Sequence, residues 1–228
     1  MKTTKQLITM GLAAFAFTLN SQAAITYVDA DETTNTYDTA TGLVNTNWYD
    51  NGSGNSTDDW SRRANPFGNG GEIFEGGYAN VDDPELTTEM TGLADGIYDV
   101  WVFFWDATNS NTWNIAAGLT SGSTATYSFD GLGDTTSPVA ASTLTFDSSV
   151  LTIESNRTLY GVNLGQATVS GGGGSGSIDV FIDNGGLAPD DRTWYDGVGY
   201  ELAAPIPEPS STALLGLGGL ALMLRRRR

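Results

Sequence analysis

The sequence predicts an all-β protein: a β-sandwich, of jelly-roll type, spanning residues 24–204. An N-terminal signal peptide and a C-terminal single membrane helix frame it. Three observations predict the sandwich. Apolar residues alternate with polar ones in short runs, the period of a strand. Gly- and Asp-rich turn signals separate those runs. Between 24 and 204 no stretch sustains a 3.6-residue apolar period.

The ends come off first. Lys2 and Lys5 precede an apolar run over 7–19, and Ser21-Gln22-Ala23 puts small residues three and one positions before a cut. That is the pattern of a secretory signal peptide, 1–23, removed by signal peptidase to leave Ala24 first. The apolar run is too short for an anchor: 13 helical residues cover about 20 Å of a hydrocarbon core about 30 Å thick. At the other end, Pro205-Ile206-Pro207-Glu208-Pro209 precedes an apolar stretch, and Arg225, Arg226, Arg227 and Arg228 close the chain. A membrane helix is expected over 212–224, because four terminal charges would each need a partner inside a globule but suit a cytoplasmic stop.

Pro207-Glu208-Pro209, a short apolar helix and a terminal Arg cluster, in that order, resemble the PEP-CTERM sorting signal. The resemblance covers 205–228. It implies an exosortase-type protease as partner, export across the inner membrane and membrane tethering before processing. It further implies arrival at the cell surface or extracellular matrix of a Gram-negative-type bacterium, in the company of extracellular polysaccharide and biofilm. It implies no activity for the middle of the chain.

That middle, 24–204, holds Arg62, Arg63, Arg157 and Arg192 against 26 carboxylates, a net charge of −22. Phosphate binding needs clustered Lys and Arg, so a nucleic-acid partner is excluded. The chain has no His and no Cys, which excludes a Ser-His-Asp triad, His-ligated zinc, thiol chemistry and disulfides. Six Trp and nine Tyr supply apolar area that disordered segments lack.

Strands are expected at 25–29, 97–105, 112–117, 124–129, 143–146, 150–153, 159–164, 178–182 and 194–202. In 97–105, Tyr98, Val100, Val102 and Phe104 share one face, and Trp101, Phe103 and Trp105 the other. Apolar side chains on both faces mark a central strand covered on both sides. Turns are expected at 94–96, at Asp130-Gly131, at 183–186 and at Asp196-Gly197, with a flexible glycine turn at 171–176.

The central strand after 92–96 and the closing strand through 195–200 are similar in layout to galactose-binding-like sandwiches, which include many carbohydrate-binding modules. Short blocks such as Tyr27-Val28-Asp29-Ala30 and Pro84-Glu85-Leu86-Thr87-Thr88 look like blocks of uncharacterised surface proteins of aquatic bacteria. Neither resemblance carries ligand residues over.

Three candidate sites follow. A long loop, 45–71, brings Trp48 and Trp60 together with Arg62 and Arg63. Flat rings and fixed polar groups suit a sugar. The same rings could equally pin the loop to the sandwich, and the arginines could pair with Asp58 and Asp59. A structural calcium is the second candidate, with Asp29, Asp31 and Asp196 as ligands. The third is a glycosidase, since paired carboxylates are plentiful. No two acids stand out on one strand face, so the middle is expected to be non-catalytic, binding polysaccharide or serving a structural role. A secreted carbohydrate-active enzyme is the alternative.

Overall fold

The computed structural model describes residues 24–43, 60–64, 72–76, 83–107, 114–128, 138–147, 157–171, 173–184 and 193–205. They form twelve strands in two antiparallel sheets. The seven-stranded sheet runs β3 (Ser61–Ala64), β4 (Glu72–Gly76), β12 (Thr193–Pro205), β6 (Gly96–Ala107), β10 (Arg157–Val169), β9 (Val139–Ala140). β1 (Thr26–Asp29) joins it along β12, beyond β4. The five-stranded sheet runs β2 (Thr36–Asp38), β5 (Leu86–Leu93), β11 (Gly176–Asp183), β7 (Asn114–Gly118), β8 (Ala125–Ser128). Among the described residues no helix is long and apolar enough to cross a membrane. The expected helix at 212–224 and the signal peptide lie outside the described residues.

Side-chain parity explains how the sheets pack. On β6, Tyr98, Val100, Val102 and Phe104 enter a core shared with Leu86 and Met90 of β5 and Ile178, Val180 and Ile182 of β11. Phe103 and Trp105 point the other way. They form a second cluster with Ile25, Ile73, Leu159 and Trp194, against which Trp101 packs. β6 is thus central and covered on both faces, as its sequence requires. Tyr195 of β12 stitches the sheets together. Tyr195 Oη donates to Thr88 Oγ1 (2.6 Å), and Thr36 Oγ1 donates to Asn35 Oδ1 (2.9 Å). Each hydroxyl has one proton, so in the 2.9 Å Thr36–Thr88 contact Thr88 must be the donor. The chain therefore runs in one direction from β12 to β2.

Several expectations are corrected. The segment 143–146 is no strand: Ala141–Thr143 is a 3-10 turn, and Phe146 makes an isolated bridge to Ile25. Its apolar residues serve as a cover, with Ala141, Leu144 and Phe146 lying on the Phe103–Trp105 cluster. Asp196-Gly197 is not a turn but a bulge inside β12, where the register against β6 slips between Tyr195 and Gly197. Part of the long loop is strand β3. The expected strand at 150–153 lies outside the described residues. The glycine turn does join β10 to β11, and Gly171, Gly173 and Gly174 all adopt positive φ there.

Candidate functional site

A groove lies beside β11, between the β7–β8 turn and β10 of the other sheet. β11 alternates Ile178, Val180 and Ile182 inward with Ser177, Asp179 and Phe181 outward. Tyr37, Thr87, Phe181 and Gly118 form one row across four strands. After Gly118 the β7–β8 turn doubles back. A Cβ at Gly118 would lie 2.7 Å from the Ser123 carbonyl oxygen, so only glycine lets the turn close this tightly. Ser121 Oγ (2.7 Å) and the Gly122 N–H (2.8 Å) donate to the Glu85 carboxylate beside β5. Because β11 lies between β5 and β7, those bonds carry the turn across β11.

The result is a cavity of about 430 Å³ lined by Leu119, Thr120, Ser121, Ala167, Thr168, Ser177, Ile178, Asp179 and Phe181. That volume is in the range of small-ligand sites. Four hydroxyls, one carboxylate and one aromatic ring converge on it. Asp179 stands directly opposite Glu89 on β5. Partial burial, and then the Glu89 charge, push the Asp179 carboxyl above its ordinary range. Both acids, after burial, also push up the hydroxyl of Tyr37.

Of the residues expected at a metal centre, Asp29 and Asp196 meet at the Tyr27 hydroxyl, and Asp31 stands apart from them. Asp196 sits at the bulge with 0% exposure. Tyr27 Oη donates to its Oδ2 at 2.8 Å and lies 3.2 Å from Asp29 Oδ1. Burial, then the charges of Asp196 and Asp29, hold the Tyr27 hydroxyl protonated well above the tyrosine range. Asp31 instead accepts from the N–H and hydroxyl of Thr33 in a tight turn, and the Thr33 hydroxyl holds its carboxyl below the usual range. Among the described residues no three acidic side chains are grouped to hold a metal ion.

The sugar platform is corrected at Trp60. Its ring has 0% exposure, and its Nε1 donates to the Pro84 carbonyl at 2.7 Å. A ring with no open face cannot stack on a ligand. Trp60 belongs to the shared core, packed beside Gly76. Trp48 lies outside the described residues. Arg62 is on β3 and its partner is Glu32, which forms an ion pair with it; Asp58 and Asp59 lie outside the described residues. Arg63 follows on the same strand.

The groove went unread in the sequence, although a signal was there. In 178–182 the outward Asp179 and Phe181 alternate with three inward aliphatics, which leaves an aromatic ring on the polar side of the strand. What the sequence does not display is the turn that reaches over that face.

β12 ends at Pro205, and the C-terminal segment starts on the same residue. Residues 205–228 match the PEP-CTERM protein-sorting motif. The chain is therefore an exported protein, sorted by an exosortase-type system and associated with the surface or membrane. No curated protein matches the chain.

Proposed function

We propose that the chain is a non-catalytic surface or extracellular-matrix protein whose sandwich binds polysaccharide in the groove beneath the β7–β8 turn. The observation that carries the reading is the convergence of four hydroxyls, Asp179 and Phe181 on one cavity. Hydroxyls and a carboxylate suit the hydroxyls of a sugar, and an aromatic face suits its C–H side. Signal peptide 1–23 would be removed on export from a Gram-negative-type cell, and helix 212–224 would tether the chain until the exosortase acts.

The wrapping supports a jelly roll. β5 and β6, consecutive strands in different sheets, pair with β11 and β10, which are also consecutive. Two ribbons wound together across the sandwich are the way that fold closes.

The Glu89–Asp179 pair favours a second reading, a carbohydrate-active enzyme using two carboxylates. Glu89 does not line the groove, which leaves one acid where glycoside hydrolysis needs two. Binding is therefore the better supported reading.

The test is glycan retention by the exported protein, wild type beside Phe181→Ala and Asp179→Asn. Either substitution should weaken retention about tenfold, within the range of a lost stacking or charged hydrogen-bond contact. Retention unchanged in both variants rejects the groove, and glycan cleavage that Asp179→Asn abolishes selects the enzyme.

A further inference from the structure

The sorting motif and the folded sheet share a residue. Pro205 opens the motif, and it is also the last residue of β12, paired with Gly96 at the start of β6. Glu208 follows three residues later. A chain spans at most about 3.6 Å per residue, so Glu208 lies within roughly 11 Å of Pro205. A protease that encloses the tripeptide is thicker than that on every side. It must meet the end of the sandwich.

We propose that this end of the sandwich is an apposition face for the membrane protease of the exosortase-type system, so that the folded domain takes part in its own sorting. The inference rests on the sorting reading and goes beyond it, because the motif assigns nothing to the sandwich. The composition of the face fits. The Gly171 N–H donates to the Asp95 carboxylate at 2.9 Å, which ties the β10–β11 turn to the β5–β6 turn. Ala94 and Ser170 are exposed on those turns. No bulky side chain is seated at either position.

β12 itself changes character before the tail. Its pairing with β1 stops at Tyr200, so among the described residues no strand covers that edge of β12 beyond this point. Its register against β6 slips at Ala203. Leu202 is 41% exposed, an apolar side chain left outside the core next to the tail. An open strand edge offers backbone donors and acceptors to a second chain, and Leu202 offers apolar area beside it. The occupant is set by continuity: the segment leaving this edge is the one the protease must hold.

The experiment follows conversion of the full-length chain to its shorter form in the native host, by pulse-chase and intact mass. The Ala94→Trp/Ser170→Trp double variant adds bulk to the turns, and Leu202→Asp puts charge on the edge. Each should slow conversion at least tenfold. A ten-residue Gly-Ser spacer inserted after Pro205 ends the forced apposition and should return both to within about twofold of the spacer-bearing wild type. Conversion at the wild-type rate in both variants overturns the proposal. So does slow conversion that the spacer leaves slow, which marks a folding defect. Unchanged conversion with an altered oligomeric state also overturns it, and assigns the face to a second copy. Failure of the sorting reading looks different: the wild type is not shortened, or Glu208→Ala is shortened like the wild type.

Discussion

Trp60→Ala is the substitution that most directly separates a core ring from a ligand platform. The indole is fully enclosed, and its Nε1 donates to the Pro84 carbonyl at 2.7 Å. Truncating a buried tryptophan to alanine costs about 3–5 kcal/mol, from lost transfer energy and the cavity left behind. The Pro84 carbonyl also loses a donor, which adds about 1 kcal/mol. For a domain of this size each kcal/mol lowers the melting temperature by about 2–4 °C. The expected drop is therefore roughly 10–20 °C. Trp105→Ala is the reference, since Trp105 is equally enclosed, on the other side of β6. Trp60→Phe keeps most of the volume and loses the hydrogen bond, so it should fall between Trp60→Ala and wild type. The assay is thermal and urea unfolding of the exported protein followed by circular dichroism. A loss below about 1 kcal/mol in Trp60→Ala, with Trp105→Ala at full cost, would refute the placement of Trp60 in the core.

Two further perturbations test the sheet. Asp179→Asn should stabilise the protein at neutral pH by a few tenths of a kcal/mol, the scale of a cross-strand like-charge pair at a surface. The folded-state pKa of Asp179 is raised. The native state therefore holds its proton longer than the unfolded state, and the wild type loses stability as pH rises through the carboxylate range. The gap between variant and wild type should accordingly close as pH falls below that range, and a gap that widens in acid would contradict the pairing. Gly197→Ala should cost about 1–3 kcal/mol in urea unfolding. A Cβ there would stand 2.5 Å from the Val28 carbonyl oxygen and 2.6 Å from the Tyr27 hydroxyl, so β1 must shift away from the bulge. Unchanged stability would mean that β1 does not seat against β12 as described.

What the sequence displayed, and what it concealed, has a physical pattern. β6 and β11 carry aliphatic and aromatic residues at period two, and burial follows from that directly. β5 reads Leu-Thr-Thr-Glu-Met-Thr-Gly-Leu. Leu86 and Met90 enter the core, but Thr and Glu separate them, and the central inward residue is Thr88, a hydroxyl spent on the bond from Tyr195. A polar residue at a core position hides a strand from hydropathy. Asp196-Gly197 misled for the opposite reason. The dipeptide has turn chemistry, yet the neighbouring Tyr27 hydroxyl and the space that only glycine leaves let it sit inside a strand. The groove depends on Glu85 holding Ser121 and Gly122, a contact 36 residues apart along the chain. Local patterns carry no record of it. The motif at 205–228 was legible whole because its parts are contiguous.

The attachment of the tail to β12 also determines how the molecule bears tension. β12 is flanked by β6 along one edge and by β4 and β1 along the other. A pull applied at Pro205 along the strand axis loads the hydrogen bonds of these ladders together, sliding β12 between its neighbours. A pull across the axis would open them singly, from the end. The first geometry shares the force over the whole strand, and the second concentrates it on one bond at a time. Because β12 is paired along both edges as far as Tyr200, its axis is a mechanically resistant direction of this sandwich.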